Sequence, residues 1–171
     1  MMMKVTRESL TRRMRTGLLA SGALLFMAGA CAAESAPAFA VLEGVWTGAG
    51  NIELANGSRE AIKCRGAYDL PKENSLHLDI RCASDSYKFE LRGVANFSGG
   101  AVTGTWSEAT RNAFGTISGT ATQDRIEVLA KSASFTATLT LATRGDEQTI
   151  DIQSQDQKTT VKGAKISLAR R

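Results

Sequence analysis

The sequence is poor in the side chains from which catalytic and metal sites are usually built. Its 171 residues include one histidine, His77, and three cysteines. The lone histidine lies on the polar side of an alternating segment, so a Ser-His-Asp catalytic triad is not indicated. A zinc site would need further ligands near the cysteines. No glycine-rich loop leads into a helix, so a phosphate-binding loop is not indicated either. We therefore predict a protein that is not an enzyme and that holds no metal ion and no cofactor.

Apolar runs long enough to span a membrane are also missing. The uncharged run 17–30 has 14 residues, whereas a membrane-spanning helix needs about 20. This run follows a basic segment and precedes small residues that end in Ala38-Phe39-Ala40, which fits the A-x-A cleavage rule. That order is typical of a secretory signal peptide. We expect residues 1–40 to be the signal peptide and residues 41–171 to be one exported domain, periplasmic or secreted.

Cys31 allows a second interpretation of the same segment. Ala28-Gly29-Ala30-Cys31 ends the apolar run as a bacterial lipoprotein signal would, and such a cysteine would carry a lipid anchor. These signals favour leucine or a similar bulky residue where Ala28 stands. The alternative is that Cys31 is removed with an ordinary signal peptide, so the cleavage position between residues 31 and 40 stays open. Contact with a membrane is expected only through this anchor.

Without the predicted signal peptide, the chain carries nearly equal numbers of positive and negative charges. Residues 1–40 hold five of the 21 basic and two of the 17 acidic residues, so residues 41–171 carry 16 positive and 15 negative charges. Nucleic-acid-binding domains usually show a basic patch, so near-neutrality argues against nucleic acid as a partner. Only two prolines and few long polar tracts are present, which is typical of a folded domain rather than a disordered chain.

What the chain has in abundance is short alternating runs, with no helical pattern between them. Turn signals such as Asn56-Gly57, Ser98-Gly99-Gly100 and Gly145-Asp146 separate several of the runs. The pattern predicts an all-β fold, a single antiparallel up-and-down β-barrel of about ten strands, because closure removes exposed sheet edges. The candidate strands are 44–54, 59–68, 75–83, 86–95, 101–109, 113–121, 124–131, 134–143, 147–154 and 158–168.

Each predicted strand has one apolar and one polar face. In 86–95, for example, Lys88, Glu90 and Arg92 share a phase, and three charged side chains do not fit one small lumen. We therefore expect the apolar phase inside, the reverse of an outer-membrane barrel. The alternation breaks in 113–121 and in 158–168, where glycines interrupt the pattern, and we interpret both as bulges or sharp bends.

Two cysteines fall on neighbouring predicted strands. A turn centred near residue 73 places Cys64 opposite Cys82, both on the apolar face. Opposed Cβ atoms in an antiparallel pair are close enough to bridge, and export provides an oxidising compartment. We predict a Cys64–Cys82 disulfide. The alternative is two buried free thiols.

The first predicted strand opens with Gly44-Val45-Trp46 and continues as Thr47-Gly48-Ala49-Gly50. A G-x-W at this position resembles the calycin superfamily of lipocalins, avidins and fatty-acid-binding proteins, and the following G-x-G is closer to nitrobindin-like barrels. The resemblance implies that Trp46 plugs the closed end and that a basic residue of the last strand, Arg170 or Lys165, packs over it. A nitrobindin-type haem site would need a histidine late in the chain, and none follows His77.

A second resemblance involves the later half of the chain. Gly104-Thr105-Trp106-Ser107-Glu108 and Gly115-Thr116-Ile117-Ser118-Gly119 resemble a pattern in small uncharacterised exported proteins of alphaproteobacteria. This likeness implies no activity.

Aromatic residues are few, yet they share the apolar phase with small residues. A cavity beside the aromatic rings is one interpretation, and a filled core of interdigitating side chains is the other. Glu108 shares phase with Trp106 and would either orient a ligand's polar group or be simply solvated. The candidate ligand-binding residues are Tyr68, Tyr87, Phe89, Trp106 and Glu108, with Phe135 beside them.

The leading hypothesis is an exported, non-enzymatic barrel that binds a small apolar or amphipathic ligand in its interior. One alternative is a protein-binding barrel, for example a periplasmic proteinase inhibitor acting on a protease through an extended segment from Glu34 to Phe39, if cleavage follows Ala33. A further alternative is a structural envelope protein without a ligand.

Overall fold

The computed structural model describes residues 38–171, so the predicted signal peptide up to residue 37 and the predicted lipidation at Cys31 lie outside the described residues. A 3-10 turn, Ala40–Leu42, precedes ten strands. The strands are β1 Gly44–Leu54, β2 Arg59–Lys72, β3 Ser75–Ala83, β4 Lys88–Ser98, β5 Ala101–Glu108, β6 Ala113–Ala121, β7 Arg125–Lys131, β8 Thr136–Arg144, β9 Glu147–Ser154 and β10 Val161–Arg170.

Consecutive strands pair antiparallel, and β1 also pairs with β10, which closes the sheet into a barrel. The prediction of an all-β, up-and-down barrel of ten strands is confirmed. We call the end where β1 begins and β10 ends the closed end, and the opposite end, where β5 ends and β6 begins, the open end. Within residues 38–171, no helix has the length and apolar character needed to cross a bilayer.

Strand bounds differ from the prediction mainly where a strand continues past an expected turn. β2 extends through Pro71 to Lys72, although the predicted strand ended at residue 68. Proline lacks a backbone donor, but the register with β3 shifts between Asp69 and Lys72, and β1 starts only opposite Tyr68. Pro71 therefore lies where ladder hydrogen bonds are already interrupted, which is where a strand tolerates it.

The apolar phase faces the interior, as expected. Leu76 and Cys82 of β3 are buried, whereas His77 and Arg81 between them are exposed. The charged side chains of β4 likewise lie on the outer surface. The single histidine therefore points away from the barrel interior.

One of the two expected irregularities is a bulge and the other is not. In β10, Val161 pairs with Leu54 and Gly163 with Glu53, which leaves Lys162 as the extra residue of a bulge. In 113–121 only the bulge alternative is wrong, because β6 pairs with β5 in continuous register, and the sharp bend remains as the interpretation. Phe114 breaks the apolar phase there because its side chain points outward and is 73% exposed.

Glycines make the tight curvature of the wall possible. A Cβ atom at Gly48 would overlap the carbonyl oxygen of Ser167, and one at Gly104 would overlap that of Val94. Neighbouring strands approach at these positions more closely than any side chain permits. Gly66 is different, since a Cβ there would lie 3.5 Å from the Tyr68 ring, an ordinary contact.

We expect Gly104→Ala to lower the free energy of unfolding by about 1–3 kcal/mol, because the added methyl forces β4 and β5 apart. The matched control, Gly66→Ala, adds the same methyl where there is room. Urea unfolding of both variants measures the difference. Equal stability of the two variants would contradict the close-approach explanation.

The Cys64–Cys82 disulfide is present, with a Cα–Cα distance of 4.1 Å between directly opposed residues of β2 and β3. The predicted register is confirmed, with Tyr68 opposite Leu78. Both cysteines are buried against the core. The bridge therefore joins β2 to β3 from inside the barrel wall.

Reduction of this disulfide should lower the free energy of unfolding by about 3 kcal/mol, since it closes a short loop in the unfolded chain. Urea unfolding with and without reductant measures the loss. The Cys64→Ala, Cys82→Ala double variant is the control and should not respond to reductant. A wild-type curve that ignores a reductant shown to break the bond would refute this estimate.

Candidate functional site

The closed end is sealed by the segment before β1. Trp46 is fully buried, and its indole N–H donates to the carbonyl oxygen of Leu42 over 2.7 Å. The Arg170 guanidinium lies 4.3 Å from the centroid of the Trp46 ring, the cation–π arrangement that the resemblance implied. Lys165, the other basic residue considered, is exposed and pairs with Asp151 instead.

Arg170 also binds the backbone of this segment. Its guanidinium donates to the carbonyl oxygens of Val41, over 2.7 Å, and of Glu43. Its Nε lies 3.0 Å from a carboxylate oxygen of Asp146. One side chain at the end of β10 therefore links the segment before β1, the Trp46 ring and the β8–β9 turn.

Inside the wall is a cavity of about 1050 Å³, lined by side chains from all ten strands. The lining is predominantly aliphatic, with residues such as Ile62, Leu78, Ile117 and Leu139. Small residues, among them Ala137, occupy inward positions where larger side chains would fill the space. The structure therefore contains an apolar cavity rather than the fully packed interior that was the alternative.

Three of the four aromatic residues predicted to bind a ligand lie at the open end of this cavity. The rings of Tyr87 and Phe89 stack with centroids 6.4 Å apart, and Trp106 meets Phe135 edge to face at 6.3 Å. The Trp106 ring lies beside Gly115, and its N–H donates to the carbonyl oxygen of Thr116 over 3.2 Å. Two aromatic pairs thus line the part of the cavity nearest to solvent.

Tyr68 lies apart from these rings, near the closed end opposite Gly44. It is 3% exposed, and its hydroxyl donates to Oε1 of Gln148 over 2.7 Å. Gln148, also buried, donates from Nε2 to the Thr143 hydroxyl over 3.4 Å. Burial raises the pKa of Tyr68 well above its ordinary range, against a smaller lowering by Gln148. Tyr68 therefore stays protonated and spans the barrel from β2 to β9.

Gln148 and Thr143 were missed by sequence reasoning, although a signal for them was present. Gln148 shares its phase with Ile150 and Ile152 of β9, and Thr143 shares its phase with Leu139 and Leu141 of β8. A polar residue on an apolar phase must find a partner in the interior. Two such residues facing each other across neighbouring strands indicate a buried polar network.

Glu108 lies at the rim of the open end and is 7% exposed, so the solvated alternative is wrong. Its Oε1 accepts the Glu90 N–H at 2.9 Å, the Thr110 N–H at 3.1 Å and the Thr110 hydroxyl at 2.7 Å. Its Oε2 accepts the Arg111 N–H at 2.9 Å and faces the Arg111 guanidinium at 3.5 Å. The carboxylate therefore holds the β5–β6 turn.

These contacts change the acidity of Glu108. Burial acts to raise its pKa, but the hydrogen bonds from Glu90, Thr110 and Arg111 favour the carboxylate and outweigh burial, so the pKa lies below its ordinary value of 4.5. A carboxyl group whose pKa is lower in the folded than in the unfolded state stabilises the fold at pH values above its unfolded-state pKa. That contribution is lost as the pH falls through the folded pKa.

We therefore expect the wild type to lose more stability than Glu108→Gln when the pH falls from about 6 to about 3. Urea unfolding at a series of pH values measures the two slopes. Glu73→Gln, in the exposed β2–β3 turn, is the control and should retain the wild-type slope. If the slopes for wild type and Glu108→Gln coincide, the hydrogen bonds seen at Glu108 do not stabilise its charged form.

The loop between β9 and β10 forms the opposite part of the rim. Lys162, the bulge residue, donates from its ammonium to the carbonyl oxygens of Asp156, over 3.1 Å, and Gln157, over 2.6 Å. The Asp156 carboxylate accepts the Thr136 N–H over 2.6 Å. The bulge therefore directs a lysine at the loop that borders the cavity.

Comparison with known proteins identifies the fold. No family model and no curated protein matches the chain. Rv2717c from M. tuberculosis superimposes with a TM-score of 0.64 at 16% identity, over 81% of this chain and 99% of that one. An S-type phycobiliprotein lyase from Guillardia theta gives 0.57 at 10% identity, over 78% and 90%. EF1p2_mFAP2b bound to DFHBI gives 0.50 at 12%, over 80% and 98%.

At these identities the likeness concerns the fold alone. It confirms the small β-barrel fold that the Gly44-Val45-Trp46 opening implied. The resemblance to alphaproteobacterial exported proteins stays a prediction.

Proposed function

We propose that this protein is an exported binding protein that holds a small apolar or amphipathic ligand inside its barrel. The observation that carries the proposal is the cavity of about 1050 Å³ with an aliphatic wall. Apolar pockets of roughly 300–1,000 Å³ are the usual form of small-molecule sites. Moving apolar ligand surface from water into such a space is favourable by about 25 cal/mol per Å².

The two ends of the cavity differ in chemistry, and this difference predicts the orientation of a bound ligand. The closed end is sealed by Trp46 and its surroundings, whereas the open end has aromatic rings and a polar rim that includes Arg111 and Lys158. An amphipathic ligand would place its apolar part toward the closed end, pass between the aromatic pairs, and keep its polar part at the rim. Tyr87, Phe89 and Trp106 are the residues that we assign to it.

Binding without a chemical step is also part of the proposal. Tyr68 and Glu108 line the cavity and have shifted pKa values, the usual mark of a candidate catalytic group. Each, however, is committed to hydrogen bonds within the protein, Tyr68 to Gln148 and Glu108 to the β5–β6 turn. One structural neighbour fits a binding role, since EF1p2_mFAP2b was solved bound to DFHBI.

The inhibitor-like alternative finds no support in the described residues. It needs an extended segment from Glu34 to Phe39 that is free to enter a protease. Ala38 and Phe39, the part of that segment that the structure describes, are buried in the barrel core. We therefore keep the ligand-binding proposal alone.

A cavity-filling variant tests the proposal. Ala137 of β8 points into the cavity, and Thr138, the next residue, is exposed on the outer face. With 1-anilinonaphthalene-8-sulfonate as the probe, we expect the wild type and Thr138→Trp to bind one equivalent with enhanced fluorescence. Ala137→Trp should weaken binding by at least about tenfold, because the indole occupies the space of the probe.

The thermal midpoint of each variant is measured alongside, so that a failure to fold is recognised. Trp106→Ala is the second variant and should reduce probe binding while the barrel stays folded. Undiminished probe binding by folded Ala137→Trp would show that the probe lies elsewhere, and the proposed interior site would then be wrong.

A further inference from the structure

Ala38 and Phe39 belong to the barrel although they precede its first strand. Both are buried, and Phe39 is 0% exposed. Its ring meets that of Phe97 edge to face at a centroid distance of 6.0 Å. Phe39 and Leu42 also line the cavity, at its closed end. The phenyl ring is therefore part of the floor of the proposed binding site.

The peptide bond between Ala40 and Val41 lies inside a hydrogen-bonded unit. The Leu42 N–H donates to the carbonyl oxygen of Phe39 over 2.9 Å, which closes the 3-10 turn across this bond. The Leu42 carbonyl oxygen in turn accepts the Trp46 indole N–H. A chain that began at Val41 would lose the Phe39 acceptor and the buried ring together.

Electrostatic repulsion also disfavours a new N-terminus at Val41. The Arg170 guanidinium donates to the carbonyl oxygen of Val41 over 2.7 Å and lies over the Trp46 ring. Hydrolysis after Ala40 would create an α-ammonium on Val41, one residue's length from that guanidinium. Two like charges would then share a partly buried site, where the Asp146 carboxylate is already paired with Arg170.

We infer that the export peptidase cuts this chain on the N-terminal side of Ala38, and that Ala38–Ala40 remain in the mature protein, where Phe39 forms part of the cavity floor. The step is hydrolysis of one peptide bond by water, which leaves a carboxylate on the signal peptide and an α-ammonium on the mature chain. The A-x-A motif at residues 38–40 is then not the processing site. Small residues upstream, Cys31 and Ala33, fit the cleavage rule equally well.

This inference rests on the export part of the proposed function, and the intact mass of the protein tests both. The full-length chain is expressed in the cells that make it, purified from the cell envelope and weighed. A first residue at or before Ala38, but after the apolar run, supports the inference. A first residue at Phe39 or later overturns it while leaving export in place. A chain that still begins at Met1 overturns export itself, and the inference with it.

Two variants separate processing from the role of the ring. Ala40 is exposed, so Ala40→Glu is compatible with the fold but removes the small residue that cleavage after position 40 requires. We expect unchanged processing and a mass that differs only by the substitution. Accumulation of uncut Ala40→Glu precursor would overturn the inference.

Phe39→Ser is the complementary variant, since it leaves a processable A-x-A sequence but removes the ring. We expect the wild-type first residue, a lower thermal midpoint and weaker binding of 1-anilinonaphthalene-8-sulfonate. A Phe39→Ser protein with the wild-type midpoint and wild-type probe binding would show that Phe39 is not part of the floor.

Discussion

The pairing of β1 with β10 is the constraint on which the rest of this structure depends. It gives the first and last strands hydrogen-bonded neighbours on both sides, so the sheet has no exposed edge. The closure requires strands to approach without side chains between them, as at Gly48 beside Ser167. It also brings Arg170 over Trp46, because these residues are register partners. The seal of the closed end is thus a consequence of how the two chain ends pair.

Closure with ten strands also determines the interior. A wall of this circumference encloses more space than the inward side chains fill, and a cavity of about 1050 Å³ remains. Polar groups that point inward have no access to bulk water at the closed end, so Tyr68, Gln148 and Thr143 satisfy one another. The same rule applies at the rim, where Glu108 accepts hydrogen bonds from a turn. The polar interior residues are structural, and the apolar space is what the barrel offers to a ligand.

Features that depend on local periodicity were predictable from the sequence. The bounds of β1, β3, β6 and β9 follow from alternation and turn residues, and the Cys64–Cys82 pairing follows from counting back from one turn. Features that depend on where distant residues meet were not. The phase break at Phe114 was interpreted as a bulge or a sharp bend because a sequence does not distinguish an exposed aromatic residue from a displaced one. The burial of Phe39 was missed because Ala38-Phe39-Ala40 fits the cleavage rule, and the contact with Phe97, far along the chain, is not visible in local sequence.

The bulge at Lys162 has a consequence for the rate at which a bound molecule would leave. The loop beside the open end is held by the Lys162 ammonium on two carbonyl oxygens and by the Asp156 carboxylate on one N–H. Such contacts exchange readily with water, whereas the opposite end is held by a buried indole and phenyl ring. Escape would therefore proceed through the open end, past the rim that these polar contacts hold in place. Substitutions at the rim would then change the residence time of a bound molecule without altering the apolar wall.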